Sequence, residues 1–187
     1  MISHEETKLE TATLANGCFW CTEAIFKRVK GVESVASGYS GGKVENPHYE
    51  DLHSGNTGHA ESLQIKFDPK VVSFEKLLDV FFATHDPTTL NQQGYDKGPQ
   101  YRSAIFYHDE KQKKIAEEKI KQLTDEKKFE NKIVTAIEQY TMFYPAEDYH
   151  QNFYESGMRP DYCRAIIDPK IQKLLSRFKD DVKEEYK

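Results

Sequence analysis

The feature of this chain that most constrains its fold is a regular alternation of strand-like and helix-like segments. Leu63, Ile65 and Phe67 alternate with polar residues and end at a Pro-containing turn, which is the pattern of a strand with one buried face. A helical pattern follows directly, because Ser73 can cap a helix whose apolar residues recur at helical spacing: Phe74, Leu77, Leu78, Phe81 and Phe82. Since no Gly/Ser-rich or Pro-rich linker and no internal repeat interrupts this alternation, we expect a single α/β (α+β) domain.

The rest of the sequence extends the same pattern. We expect strands at residues 8–15, 32–39, 103–107 and 133–137, and helices at residues 19–30 and 149–154. Two more helices begin at their capping residues, Asp109 and Asp168. Polar loops are expected at residues 43–59 and 88–100. The predicted single domain covers residues 1–187, with a core from about residue 8 to residue 178 and a charged tail at residues 179–187.

Composition limits the classes of partner. Charged residues make up 30% of the chain and the formal net charge is -5, so we expect neither nucleic acid nor a membrane surface as a partner. No apolar stretch approaches the length of a membrane span and the N-terminus lacks the pattern of a secretory signal, so the expected location is the cytoplasm. The odd number of cysteines, three, argues against a fixed disulfide framework and favours reduced, reactive thiols.

Cys18 lies in the most informative short segment, Gly17-Cys18-Phe19-Trp20-Cys21-Thr22-Glu23, between a predicted strand and a predicted helix. A thiol at the N-terminus of a helix faces unpaired backbone N–H groups and the positive end of the helix dipole. We therefore expect the pKa of Cys18 to be lowered and its thiolate to act as a nucleophile.

Two further cysteines extend this chemistry. Cys21 follows Cys18 by three positions, and Cys163 lies in a polar segment, so the three thiols are suited to thiol oxidation and disulfide exchange. The Cys-x-x-Cys spacing is also typical of general thiol–disulfide oxidoreductases. A further hypothesis is a zinc site made of Cys18, Cys21, His150 and Cys163, which is a chemically reasonable tetrahedral set.

Short motifs spread over most of the chain resemble, in their order and spacing, the A-type peptide methionine sulfoxide reductases. The resemblance runs from about Leu9 to Cys163 and rests on these segments: Gly17-Cys18-Phe19-Trp20, Gly38-Tyr39, Gly41-Gly42, Tyr49, Ser54-Gly55-Asn56-Thr57-Gly58-His59-Ala60-Glu61, Gln100-Tyr101-Arg102-Ser103, Glu147-Asp148-Tyr149-His150-Gln151 and Tyr162-Cys163. It implies a ferredoxin-like two-layer α/β sandwich with a mixed sheet and long coil segments. It also implies an enzyme that reduces the S epimer of methionine sulfoxide, free or in proteins.

The resemblance further implies roles for individual residues. Cys18 would attack the electrophilic sulfur of the sulfoxide and Glu61 would protonate its oxygen, because that oxygen is difficult to expel as hydroxide. A carboxyl group walled by aromatic rings has a raised pKa, which keeps it protonated near neutral pH. The matching substrate-binding residues are Tyr49 and Tyr101, which would hydrogen-bond the sulfoxide oxygen, Asp96, which would orient the substrate, and Phe19 and Trp20, which would enclose the S-methyl group.

Oxygen transfer would leave Cys18 as a sulfenic acid, which a second thiol must convert into a disulfide. Cys163 matches the resolving position of many family members, so we expect it to resolve first. Cys21 departs from the commoner family pattern, which has Gly there, and is expected to be a relay, a second resolving thiol or a small buried residue. Residues three apart on a regular helix have Cβ atoms ~5–6 Å apart, whereas a disulfide needs ~3.5–4.5 Å. The resemblance implies thioredoxin as the reductant, with no cofactor and no metal, and we expect a monomer.

Overall fold

The computed structural model describes residues 7–187. Eight strands lie within these residues: β1 (Glu10–Asn16), β2 (Val32–Ser40), β3 (Ala60–Phe67), β4 (Gln92–Gln93), β5 (Asp96–Lys97), β6 (Ser103–Tyr107), β7 (Ala136–Gln139) and β8 (Phe143–Pro145). The helices of the same residues are α1 (Phe19–Phe26), α2 (Tyr49–His53), α3 (Phe74–Ala83), α4 (Glu110–Asp125), α5 (Pro160–Tyr162) and α6 (Asp168–Arg177), and a π-helical segment (Cys163–Ile167) joins α5 to α6. None of the helices in this described part combines the length and the apolar character that a membrane crossing requires.

Six of the strands form one mixed sheet in the order β7-β6-β1-β3-β2-β8. Neighbouring strands are antiparallel except for β6 and β7, which run parallel. The crossovers β1-α1-β2 and β3-α3-β6 give the order β6-β1-β3-β2, which is the arrangement of a ferredoxin-like βαββαβ unit. β7 and β8 extend this unit at its two edges, so the predicted ferredoxin-like α/β fold with a mixed sheet is confirmed.

The main hydrophobic core lies between the sheet and the helices. Leu14 on β1 pairs with Leu63 of β3 on one side and with Ile105 of β6 on the other, so these fully buried side chains share one face. All eight residues of α1 are buried, which is typical of a helix surrounded by protein. Because each large apolar side chain contributes roughly 1.5–3 kcal/mol when buried, the core fixes α1, and with it the position of Cys18 at its start.

Two helix starts follow the sequence prediction. The Ser73 side chain accepts a hydrogen bond from the backbone N–H of Lys76 at 3.0 Å and so caps α3. The Asp109 side chain accepts a hydrogen bond from the backbone N–H of Gln112 at 2.8 Å and so caps α4. In both cases the capping residue predicted from the sequence makes the capping hydrogen bond in the folded protein.

The predicted helix over residues 19–30 is too long, since α1 ends at Phe26. The backbone beyond it pairs with the C-terminal segment instead: the N–H of Lys30 donates to the Asp181 carbonyl at 2.8 Å, and Val29 forms an antiparallel bridge with Val182. Val182 is fully buried. The charged tail predicted at residues 179–187 therefore also supplies packing against the end of α1.

Other predictions of local structure also differ from the fold. The loop predicted at residues 43–59 contains the short helix α2, and the loop predicted at 88–100 contains the short strands β4 and β5. The strand predicted at 133–137 is β7 at Ala136–Gln139, and β8 lies where no strand was predicted. The helix predicted at residues 149–154 is instead a 3-10 helix, Asp148–His150, followed by turns. A buried carboxylate explains this last difference, because Glu23 accepts a hydrogen bond from the backbone N–H of Asn152 at 2.7 Å.

Candidate active site

Cys18 lies at the turn between β1 and α1, where it is the N-cap residue of the helix. Gly17 permits this turn, because its φ is +102° and a Cβ atom there would lie 2.7 Å from the side chain of Gln93. The Cys18 carbonyl accepts hydrogen bonds from the backbone N–H groups of Cys21 and Thr22, at 3.1 and 3.4 Å. The thiol therefore stands at the N-terminus of a buried helix, as predicted, and it remains partly exposed.

Glu61 lies on β3 directly beside this helix start. Its Oε2 accepts a hydrogen bond from the backbone N–H of Phe19 at 3.0 Å, and the residue is 2% exposed. The pKa of the Glu61 carboxyl is raised from 4.5 to about 8, first by burial and then by Asp96 and Cys21, while the Phe19 N–H opposes the change. Glu61 is therefore protonated at neutral pH, and a carboxylic acid and a thiol meet at one helix terminus.

The thiols of Cys18 and Cys21 titrate as a coupled pair. Burial is the main cause that raises the pKa of Cys18, followed by Cys21 and Glu61. The pKa of Cys21 is lowered to about 7, chiefly by its hydrogen bond with Cys18 and next by the positive charge of Lys170. The predicted lowering of the Cys18 pKa is therefore wrong. Burial and acidic neighbours outweigh the helix N-terminus, and the first negative charge forms on Cys21.

A cavity of about 500 Å³ opens over both of these thiols. Its lining includes Cys18, Cys21, Asp96, Tyr162, Ile166 and Lys170. Cys18 has a ψ of 122° and so lies outside the regular helix, which means that the spacing of a regular helix does not hold its sulfur away from that of Cys21. Tyr162 and Lys170 had no predicted role. They come from the helical segment near the C-terminus, and only the fold brings them to the cavity.

Tyr49, Tyr101 and Asp96 approach this region from three different elements. Tyr49 begins α2, Tyr101 ends the 3-10 helix Pro99–Tyr101, and Asp96 begins β5. Burial is the first cause that raises the pKa of each tyrosine hydroxyl, and the Glu61 carboxyl is the second. Burial also raises the pKa of Asp96. Both hydroxyl groups therefore remain protonated hydrogen-bond donors, and the three residues that the resemblance assigned to the substrate lie around the same carboxyl group.

Phe19 and Trp20 form an aromatic cluster in the first turn of α1. Phe19 is fully buried and contacts the rings of Tyr49 and His150, with centroids 6.3 and 5.0 Å away. Trp20 stacks on Phe153 at 3.7 Å, and its Nε1 donates a hydrogen bond to Nδ1 of His150 at 3.0 Å. The two residues assigned to the S-methyl cage thus follow the thiol directly and are held in place by other aromatic side chains.

Glu147, which had no predicted role, and His150, which was predicted only as a zinc ligand, support this cluster from behind. His150 is fully buried and accepts from Trp20 through Nδ1, so the neutral ring carries its proton on Nε2, 4.0 Å from the Glu147 carboxylate. Burial lowers the pKa of His150, which keeps the ring neutral. The Glu147 carboxylate also accepts hydrogen bonds from the Tyr39 hydroxyl at 2.9 Å and the Tyr49 backbone N–H at 3.2 Å. The motif at residues 147–151 was the available signal for these contacts.

Cys163 begins the π-helical segment and does not line the cavity. It is 7% exposed, and its thiol donates a hydrogen bond to the Met158 carbonyl at 3.7 Å. Burial raises its pKa, followed by Asp168 and Cys21. Cys18, Cys21 and Cys163 are all free thiols. Cys21 thus influences the pKa of both other cysteines.

The structure does not support the zinc hypothesis. Over residues 7–187, no group of three or more His, Cys, Asp or Glu side chains could hold a metal ion. His150 uses the ring nitrogen Nδ1 for Trp20, and Cys163 points to a backbone carbonyl. The four proposed ligands therefore do not converge on one point.

Comparison with known proteins gives one consistent result. A family profile described as "Peptide methionine sulfoxide reductase" matches residues 10–182. The peptide methionine sulfoxide reductase MsrA of Sulfolobus acidocaldarius is 56% identical, over 92% of this chain and 97% of its own length. The alternative of a general thiol–disulfide oxidoreductase is not supported by these matches.

Solved structures agree with the sequence comparison. The crystal structure of Mxr1 from Saccharomyces cerevisiae in reduced form aligns with a TM-score of 0.75 and 37% identity, covering 84% of this chain and 90% of that chain. Mxr1 in complex with Trx2 aligns with a TM-score of 0.55 and 32% identity, covering 82% of this chain and 90% of that chain. With the Cys18 thiol and the protonated Glu61 carboxyl group at the start of α1, and with these matches in sequence and structure, this chain belongs to the peptide methionine sulfoxide reductase family.

Proposed function

We propose that this protein reduces the S epimer of methionine sulfoxide, free or within proteins, to methionine. The observation that carries the proposal is the meeting of the Cys18 thiol and a protonated Glu61 carboxyl group at the start of α1, where Oε2 of Glu61 accepts from Phe19 at 3.0 Å. A sulfoxide needs a sulfur nucleophile and an acid for its oxygen at the same time. Both are present at one helix terminus.

The first chemical step is oxygen transfer to Cys18. The Cys18 and Cys21 pair loses its first proton at about pH 7, and Cys18 becomes the nucleophile when the remaining proton of the pair lies on Cys21. Cys18 attacks the sulfoxide sulfur while Glu61 protonates the oxygen. In the net reaction the sulfoxide is reduced to the thioether, the S–O bond is broken, and Cys18 is oxidised to a sulfenic acid.

The surrounding side chains select and orient the sulfoxide. Tyr49 and Tyr101 keep their hydroxyl protons and so can donate hydrogen bonds to the sulfoxide oxygen, which an ordinary thioether lacks. Asp96, which lines the cavity, orients the substrate. Trp20 supplies the apolar surface for the S-methyl group, and the fully buried ring of Phe19 supports this side of the site from within. The product therefore binds more weakly than the substrate, since it has no oxygen for the two hydroxyl groups.

Disulfide formation completes the catalytic cycle. The sequence led us to expect Cys163 as the first resolving thiol, but the positions of the thiols support Cys21 in that role. Cys21 shares the cavity with Cys18 and has a pKa of about 7, whereas Cys163 is buried outside the cavity with a raised pKa. Cys163 then attacks the first disulfide by exchange, which moves the disulfide toward the C-terminal segment.

The same proposal includes recycling by thioredoxin. Mxr1, which is similar to this chain, forms a complex with Trx2. Three free thiols and the implied disulfide exchange fit a dithiol reductant in a reducing compartment, so we propose a monomeric enzyme that works in the cytoplasm.

Turnover of separated R and S epimers of a methionine sulfoxide peptide, with thioredoxin as reductant, tests the proposal. We expect methionine to form from the S epimer and not from the R epimer, and Cys18→Ser to abolish this reaction. Methionine formation by Cys18→Ser at the rate of the unaltered protein would show that another residue is the nucleophile. Equal turnover of both epimers would contradict the stereochemical part.

A further inference from the structure

We propose that Lys170 is a positioning residue that holds Cys21 in its ionised, nucleophilic form for the attack on the Cys18 sulfenic acid. This inference rests on the proposed function and deepens it. Lys170 lies outside every motif that supports the family resemblance, on the helix predicted to begin at Asp168. Its position against the two thiols is a result of the fold.

The Lys170 side chain belongs to the same cavity as the two thiols. It lies in the first turn of α6, is half-buried, and lines the cavity together with Cys18 and Cys21. Its ammonium group makes no ion pair or hydrogen bond with any residue from 7 to 187. Its charge is therefore available to the groups that face the cavity.

The groups that face Cys21 come from every element packed around it: Cys18 from the turn before α1, Glu61 from β3, Asp96 from β5, Tyr162 from α5, Cys163 from the π-helical segment and Lys170 from α6. Of these, Lys170 alone carries a positive charge. The Tyr162 hydroxyl, 4.0 Å from the Cys21 sulfur, can stabilise a thiolate by hydrogen bonding. The charge of Asp96 acts in the opposite direction. Lys170 therefore offsets the acidic side of the cavity at the position of Cys21.

The step that depends on this charge is the closing of the first disulfide. The Cys21 thiolate attacks the sulfur of the Cys18 sulfenic acid, the S–S bond forms, and the S–O bond breaks. The leaving hydroxide takes up one proton and becomes water. Cys21 is oxidised, the Cys18 sulfur is reduced, and no external oxidant is needed. Because only the thiolate attacks, the rate of this step follows the ionised fraction of Cys21.

The experiment compares Lys170→Met with Lys170→Arg, in the full-length chain that also carries Cys163→Ser, so that the first disulfide can form between Cys18 and Cys21 alone. Lys173→Met is the matched control, because Lys173 lies one helical turn further along α6 and does not line this cavity. One equivalent of a methionine S-sulfoxide peptide is added without reductant. Sulfenic acid is trapped with dimedone and the disulfide is measured by mass spectrometry, as a function of time and pH.

We expect Lys170→Met to move the midpoint of the rate of disulfide formation up by about half to one pH unit. At pH values below that midpoint this slows the step by about threefold to tenfold. Above the midpoint the rate should not fall, because a thiolate of higher pKa is intrinsically more nucleophilic. Lys170→Arg should restore the original midpoint, and Lys173→Met should leave it unchanged.

An unchanged midpoint in Lys170→Met would overturn the inference. So would a higher KM for the sulfoxide with unaltered disulfide formation, since Lys170 would then act on the substrate. Both outcomes leave the proposed function intact, because methionine still forms. Absence of methionine formation in the unaltered chain would instead contradict the proposed function itself.

Discussion

Replacement of Glu61 by Gln removes the acidic proton of the site and leaves the shape of the side chain almost unchanged. The Gln side chain retains an oxygen that can accept the hydrogen bond from the Phe19 backbone N–H, which Oε2 of Glu61 now accepts at 3.0 Å. It cannot transfer a proton to the sulfoxide oxygen. General acid catalysis contributes roughly 10²–10⁴-fold to a rate, so we expect the oxygen-transfer step of Glu61→Gln to slow by at least about 100-fold.

The pH dependence of this step carries a second signature. The thiol pair loses its first proton at about pH 7, and Glu61 loses its proton at about pH 8. The rate of the unaltered protein should therefore rise through about pH 7 and fall through about pH 8. Glu61→Gln should retain the rise and lose the fall, because no carboxyl group remains to ionise.

The dependence of folding stability on pH provides an independent test of the raised pKa of Glu61. The Glu61 carboxyl ionises at about 4.5 in the unfolded chain and at about 8 in the folded one, so the folded state loses stability as pH rises between these values. The difference corresponds to a loss on the order of 5 kcal/mol above pH 8. Glu61→Gln removes this loss. The difference in free energy of unfolding between Glu61→Gln and the unaltered protein should therefore favour the variant more at about pH 8.5 than at about pH 5.

Single-turnover quench-flow from about pH 6 to pH 9 measures the rate of oxygen transfer. Urea unfolding at about pH 5 and about pH 8.5 measures the change in stability. Glu33→Gln is the matched control, because Glu33 is an exposed carboxyl group at the start of β2, whereas Glu61 pairs with Tyr39 near the other end of that strand. An oxygen-transfer rate in Glu61→Gln that equals that of the control, with the alkaline fall retained, would remove Glu61 from the role of acid.

The other predictions concern the thiols, the hydroxyl groups and the C-terminal segment. Cys163→Ser should complete one turnover, accumulate the Cys18–Cys21 disulfide and lose thioredoxin-driven recycling, whereas Cys21→Ser should accumulate a dimedone-reactive sulfenic acid. Peptide mapping distinguishes the disulfide from the sulfenic acid. The reverse pattern would restore Cys163 as the first resolving thiol. Tyr49→Phe should lower kcat/KM by about tenfold, as expected for one lost hydrogen bond in the transition state, and an unchanged value would place its hydroxyl away from the substrate. Tyr186→Ala should lower the free energy of unfolding by about 1–2 kcal/mol, because the Arg28 guanidinium lies 4.6 Å from the centre of the Tyr186 ring. Tyr186→Phe retains the ring and should therefore retain most of this stability. Equal losses in both variants would assign the effect to the hydroxyl group.

The parts of the fold that sequence predicts are those whose signals are local. The strand through Leu63 and Ile65 and the helix capped by Ser73 carry their own periodicity and cap, and both form as predicted. The end of α1 is different, since residues after Phe26 leave the helix to pair with the C-terminal segment, more than 150 positions away. β8 has only three residues, and its position is set by its partner β2 rather than by its own pattern.

The candidate site divides in the same way. Cys18 was predicted to lie at a helix start because the strand, the glycine and the helix are contiguous in sequence, and it does. The direction in which its pKa shifts was predicted wrongly, because burial by distant segments is the main cause, followed by the neighbouring Cys21 and then by Glu61. Lys170 was not predicted at all. A single lysine in an amphipathic helix has no sequence signal that distinguishes a cavity-facing residue from a solvated one.

The π-helical segment has a consequence for the movement of Cys163. A π-turn holds one more residue than an α-turn, and one residue corresponds to roughly 100° of rotation about the helix axis. If Cys163–Ile167 tightened into an ordinary helix, Cys163 would swing by about that angle while the buried residues of α6, Ile171 and Leu174, kept their packing. Such a rotation would turn the Cys163 sulfur from the protein interior toward an incoming reductant, and α6 would stay folded.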